Sequence, residues 1–217
     1  MSARDRIIAR IRAAQGSQGE PSPAVRAAVE RYISQHPEGP RPRSDWDPVV
    51  RFRERALSLS STVETVANLS AAPQAVARYL AGIGLPRQAV CWPELAELDW
   101  GTAGVAVETR PARGDDLVGV TGAFCAIAET GTLMLLSGPR TPAATSLLPE
   151  THIAILHLGR IVPGMEDAWA LARVERGQLP RAVNFVSGPS RTADIEQTIN
   201  LGAHGPYRVH IVIVAGV

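Results

Sequence analysis

Lysine is absent: all 22 basic residues in the 217-residue sequence are arginine. That excludes a Walker A phosphate loop, a Schiff-base lysine and a kinase-type lysine, whatever the 19 glycines suggest. Cysteine is scarce as well, with Cys91 and Cys125 standing 34 positions apart and no CxxC. Two thiols fall short of the ligand set of an iron–sulfur cluster or a Cys-rich zinc site. Without secretory context they read as free buried thiols rather than a disulfide. No apolar run approaches the roughly 18–20 residues needed to cross a bilayer, so no membrane partner is expected. The balance of 22 basic against 21 acidic residues leaves no global case for nucleic acid either. The opening MSARDRIIARIRAA has Ile7-Ile8-Ala9 as its longest early apolar run, too short for a signal-peptide core, so a cytoplasmic location is expected.

What is present divides unevenly. The first 55 residues hold 11 arginines against 7 acids, leaving 11 against 14 for the remainder. Helical spacing covers 3–14 and 23–35, the second introduced by Pro21 and Pro23 and followed by Pro37. Gly39, Pro40 and Pro42 make a stiff break. Residues 1–45 read as a helical arm with too few large apolar side chains to close a core, ordered or partly disordered, and 46–217 as the main domain. A third helix is expected from Asp47 to Leu59. From residue 62 strand and helix signals alternate: strands at Thr62–Ala67 and Ala89–Trp92, a helix at Pro73–Ala81 ended by Gly82 and Gly84. Near-continuous apolar runs at Ile153–Leu158, Ala182–Val186 and Val209–Val214 predict strands covered on both faces. A helix at about Gly164–Glu175 between the first two suggests a βαβ unit, hence an α/β fold with an open, mainly parallel sheet flanked by helices. Leu117–Leu136, rich in Gly, Thr and Ala, reads as strand–turn–strand.

Three stretches are candidates for chemistry. In 119–136, Glu129 lies between Ala126-Ile-Ala128 and Gly131, where desolvation would suit its carboxylate to acid–base or nucleophilic work. The alternative is that Glu129 accepts backbone hydrogen bonds around a turn. Gly119, Thr121, Gly122, Thr130 and Gly131 are candidate ligand contacts in the same stretch. Cys125 shares a face with Glu129 if one strand holds both. The second stretch, 184–197, follows an expected core strand and so is placed at the carboxyl end of a parallel strand, where open α/β sheets bind ligands. There Gly188, Ser190, Arg191, Thr192, Asp194 and Glu196 are candidate contacts, with Arg191 suited to clamp a carboxylate or phosphate. Asp194 and Glu196 also fit the first turn of a short helix; in an extended chain they share a face with Thr192. In the third stretch, 201–206, His204 is the candidate general acid–base beside Gly205, or a residue that fixes its loop. His152 and His157 face opposite ways in a strand and no HExxH occurs, so no metal is expected; no GxSxG nucleophile elbow occurs either.

Taken in order, Val118-Gly-Val-Thr-Gly-Ala123, Ala128-Glu-Thr-Gly-Thr132, Ser146-Leu-Leu-Pro149 with His152-Ile, Arg160-Ile-Val-Pro163, Leu179-Pro-Arg-Ala-Val183, Gly188-Pro-Ser-Arg-Thr-Ala-Asp-Ile-Glu196 and Gly202-Ala-His-Gly-Pro206 closely resemble the LUD domain of the lactate utilization protein C family. The likeness is strong over 117–214, weaker over 46–116 and very weak over 1–45. It implies a NagB/RpiA/CoA-transferase-like fold and a part in L-lactate oxidation to pyruvate. It also implies that lactate utilization proteins A and B carry the iron–sulfur clusters, leaving this chain without a cofactor of its own. A small anion or hydroxy acid is the implied small-molecule partner. By analogy with the glutamate of CoA transferases, a stand-alone acyl-transfer or sugar-phosphate enzyme using Glu129 as nucleophile or base is the alternative.

Overall fold

The computed structural model describes residues 2–16, 20–192 and 200–216. The chain divides into two units, 1–42 and 43–217. In the first, helix α1 (Ala3–Ala14) starts at Ser2, whose hydroxyl accepts from the Asp5 N–H while the Asp5 carboxylate accepts from the Ser2 N–H. Helix α2 (Pro23–Gln35) is capped by Ser22 and carries proline in its first turn. Neither helix buries a described side chain.

In the second unit, helix α3 (Pro48–Ser58) begins at Asp47, which accepts from the N–H groups of Val49 and Val50 at 2.9 Å. It buries Phe52 and Ala56, one helical turn apart. Strand β1 (Thr62–Val66) follows, then helix α4 (Ala72–Gly82), strands β2 (Gln88–Cys91), β3 (Ala106–Glu108) and β4 (Val118–Gly122). The chain continues through β5 (Cys125–Ile127), β6 (Thr132–Leu136), short helix α5 (Ala144–Leu147), β7 (Thr151–His157), β8 (Ile161–Val162) and helix α6 (Met165–Arg176). It ends with β9 (Val183–Val186), β10 (Arg191–Thr192), β11 (Asn200–Leu201) and β12 (Arg208–Val214).

Six strands make one sheet in the order β1-β12-β7-β4-β2-β3, every pair parallel. Its central members β4, β7 and β12 are buried almost throughout, as their unbroken apolar runs require. The α/β expectation of an open parallel sheet with flanking helices therefore holds. The run Ala182–Val186, however, takes no part in that sheet. Strand β9 is only partly buried and lies in a separate four-stranded sheet, β8-β5-β6-β9, antiparallel to β6. No βαβ unit joins β7 to β9, because α6 packs Ala168 and Ala172 on the second sheet. That sheet alternates faces: Ala126, Ala128, Leu133 and Leu135 join the main core, whereas Cys125, Ile127, Met134 and Leu136 face the α6 cluster. The stretch 117–136 is accordingly three strands rather than two. Glu129 falls in the turn between β5 and β6, so it shares no strand with Cys125.

Candidate functional site

Three of the predicted segments meet. Gly131 closes the β5–β6 turn with φ +70°, and a Cβ there would lie 2.7 Å from the Arg55 and Ala56 backbone of α3. Gly188, at φ +80°, comes as close to the end of the same helix, 2.3 Å from the Leu59 carbonyl oxygen on the same measure. Only glycine permits both the conformation and the approach. A row of hydroxyls links the turn to the second segment: Thr130 Oγ1 to Thr132 Oγ1 at 2.7 Å, and Thr132 Oγ1 to Ser187 Oγ at 2.7 Å. The Ser190 N–H donates to the Pro206 carbonyl at 2.9 Å, and Gly205 packs on the Ser190 side chain. Arg191 Nη2 donates to Ser60 Oγ at 2.6 Å and to the Leu59 carbonyl at 3.3 Å, a cation at the carboxyl end of α3. Glu129 is half-buried, its N–H donating to the Pro163 carbonyl at 3.0 Å, and His204 is exposed in its loop.

The position of this cluster differs from the expectation. Leu59 and Ser60 lead into β1 and Pro206 leads into β12, so the cluster sits at the amino end of the parallel sheet, not its carboxyl end. The placement inferred for 184–197 fails because β9 belongs to the other sheet. Arg191 and Thr192 are extended and pair with Leu201 and Asn200; Asp194 and Glu196 lie outside the described residues.

Gly119, Thr121 and Gly122 stand apart, inside β4. A Cβ on Gly119 would fall 2.1 Å from the Thr145 carbonyl oxygen, so this glycine lets α5 lie on the sheet. Thr121 Oγ1 is hydrogen-bonded to His152 Nε2 at 2.8 Å, wholly buried, and burial pushes that imidazole down to about 4. Both cysteines are free and buried, in separate cores, and burial pushes each thiol up to about 12. No group of three or more His, Cys, Asp or Glu among the described residues is arranged to hold a metal. No helix among them is long and apolar enough to cross a membrane.

The carboxyl end of the sheet carries a cavity of about 510 Å³. Its walls include residues that follow four strands, Trp92 and Glu94 after β2, Ala123 and Phe124 after β4, Leu158–Arg160 after β7, and Ala215–Gly216 after β12, together with Leu136 of β6 and Arg176 of α6. Glu94 is exposed, while one oxygen of its carboxyl lies close to Gly122, 2.8 Å from where a Cβ on that glycine would be. Desolvation on that side raises its pKa, opposed by Arg140 and Arg176. Arg160 donates from Nε to the Phe124 carbonyl at 2.8 Å and grips Glu175 with both terminal nitrogens at 2.5 and 2.9 Å. A second cavity of about 530 Å³ adjoins the first through Glu94, Leu136, Thr141 and Arg176.

Comparison with known proteins decides the family. The LUD domain matches residues 62–214. The chain belongs to the LUD-domain family. Among curated relatives, Lactate utilization protein C of Geobacillus sp. (strain WCH70) is 41% identical over 100 residues, covering 45% of this chain and 42% of its own. Its counterpart in Exiguobacterium sp. (strain ATCC BAA-1283 / AT1b) is 44% identical over 100 residues, 45% and 44% of the two chains. Lactate utilization protein C 1 of Bacillus mycoides (strain KBAB4) is 40% identical over 118 residues, 53% and 50%. The matched stretch thus spans about half the length of these relatives. A crystal structure of a DUF162 family protein from Deinococcus radiodurans superimposes with a TM-score of 0.60 at 25% identity, covering 80% of this chain and all of that one.

Within the LUD domain, sequence reasoning missed the carboxyl-end residues Glu94, Arg160 and Arg176. The signal was available in part: Trp92-Pro-Glu94 and His157-Leu-Gly-Arg160 each follow an apolar strand directly, the place where parallel sheets present loops to ligands. Arg176 sits at the end of α6, and nothing local in the sequence ties it to them.

Proposed function

We propose that this LUD-domain chain is the non-cluster subunit of an iron–sulfur system oxidising L-lactate to pyruvate, working with lactate utilization proteins A and B. The family match over 62–214, with relatives named Lactate utilization protein C, carries this reading. The cysteine chemistry supports it: two thiols, each buried and held protonated, are too few and too enclosed to ligate a cluster, so the partners hold the electrons. In this proposal the chain binds a small anionic or hydroxylated ligand, or one of those partners, at the amino-end cluster. The hydroxyl row Thr130–Thr132–Ser187 and the Arg191 guanidinium support that assignment.

Deleting the gene in a host with no paralogue should abolish growth on L-lactate, and a tagged chain should retain the A and B proteins with their iron. Normal growth of the deletion strain overturns the reading. The half-burial of Glu129 next to that hydroxyl row favours one alternative, an acyl-transfer or sugar-phosphate enzyme in which this carboxylate is nucleophile or base. Glu129→Gln then abolishes turnover in a screen of acyl-CoA compounds and sugar phosphates; full lactate growth with Glu129→Gln leaves the subunit reading standing alone.

A further inference from the structure

The parallel sheet has a point where its connections diverge. After β2 the chain turns outward to β3 at the sheet edge, whereas after β4 it turns inward, toward β7. Loops leaving two neighbouring strands in opposite directions open a crevice at the carboxyl ends, the general location of ligand sites in open α/β sheets. The 510 Å³ cavity lies over this divergence, lined from both sides by Trp92 and Phe124. We propose that it is a second ligand site, separate from the amino-end cluster, for a monocarboxylate bearing an apolar body larger than that of lactate, with Arg176 receiving the carboxylate.

The two cavity arginines are in different states. Every donor group of Arg160 is engaged, Nε by the Phe124 carbonyl and the fork by Glu175, so Arg160 is a fixed wall. The Arg176 guanidinium lies over the same Phe124 ring, 5.6 Å from its centroid, within electrostatic reach of Glu94 and Glu175, and the side chain donates no hydrogen bond among the described residues. Its planar fork therefore stays available for a carboxylate. Glu94 sets the charge of the ligand. A phosphate dianion near this carboxyl meets about twice the like-charge repulsion that a monoanion meets. The volume sets its size: cavities of about 300–1,000 Å³ hold ligands of drug-like dimensions, and a three-carbon acid leaves most of this one empty. Trp92, Phe124, Leu136 and Leu158 supply the apolar walls that a larger body buries.

The test is calorimetric titration of the full chain with acetate, L-lactate, hexanoate, 3-phenylpropionate and hexyl phosphate. Affinity should rise with the apolar body, and hexyl phosphate should bind more weakly than the carboxylate of similar length. Arg176→Ala should weaken the best carboxylate by about 10-fold or more, the loss of one charge-assisted contact. Gly159→Phe should block binding, because Gly159 lines the cavity and a Cβ there meets nothing within 4 Å; an unchanged melting curve shows that the fold is kept. The proposal is overturned by no binding across the series, by lactate binding as tightly as 3-phenylpropionate, by hexyl phosphate binding more tightly, or by binding that survives both substitutions. None of these readouts depends on growth on lactate, so this site and the subunit role fail separately.

Discussion

The two ends of the six-stranded sheet use glycine differently. At the amino end, glycine lets backbone meet backbone: Gly119 under the Thr145 carbonyl, Gly131 against Arg55 and Ala56, Gly188 against Leu59. At the carboxyl end Gly216 also meets backbone, 2.7 Å from the Ala67 carbonyl oxygen on the same measure, but two other glycines face looser neighbours. A Cβ on Gly122 would meet the Glu94 carboxyl oxygen at 2.8 Å, the movable end of a side chain, and one on Gly159 would meet open space. The same residue type thus marks close packing at the amino end, and at the carboxyl end both close packing, at Gly216, and open space, at Gly159. A glycine-rich motif by itself does not tell these apart, since both uses need the missing Cβ.

Substitutions can break the contrast at its strongest point first. Gly119→Val should destabilise the fold by more than about 4 kcal/mol in urea titration, because the Thr145 carbonyl belongs to backbone and cannot move aside. A small loss would show that α5 is not held against β4 as described. Acid is the next lever on the same end, through two buried imidazoles. His152 and His210 titrate near 4 in the folded chain against an ordinary 6.5, both because of burial, with Glu64 partly opposing the effect at His210. Between those values the unfolded chain binds the extra protons, so stability is full above about 6.5, falls as pH drops toward 4 and levels off below. The loss should be on the order of 3 kcal/mol per histidine, measured by denaturation at stepped pH, and His210→Asn should flatten the slope.

The carboxyl end answers with smaller effects. Glu175→Ala releases the fork of Arg160 from a partly exposed pair and should cost about 1 kcal/mol, read from the same titrations. Gly159→Ala should change stability by less than about 0.5 kcal/mol, since nothing stands where its methyl group goes. A larger loss would mean that this end of the sheet is closed after all.

The legible part of the fold was the part carried by local pattern. Helical spacing announced α1 and α2, proline marked the starts of α2 and α3, and the apolar runs at 153–158 and 209–214 announced two central parallel strands. The run at 182–186 misled because a strand's composition reports burial without naming its partner. Val183–Val186 found an antiparallel neighbour in β6 and a different sheet. That single change of sheet carried Gly188, Ser190 and Arg191 from the carboxyl end to the amino end. Thr121 misled in a related way. Its hydroxyl looked available in the sequence, and His152, 31 positions later, takes it.

From the chain alone came the thiol shortage, the missing lysine, the α/β class and the ordered motifs of the LUD domain, because each depends on residue identity or short-range spacing. Tertiary structure decided which glycines press on backbone and which meet open space, and that the Arg160 side chain is held by Glu175 while that of Arg176 donates no hydrogen bond among the described residues. Those distinctions rest on contacts between residues far apart in sequence, such as Gly188 with Leu59 and Glu94 with Gly122, which neither periodicity nor composition encodes.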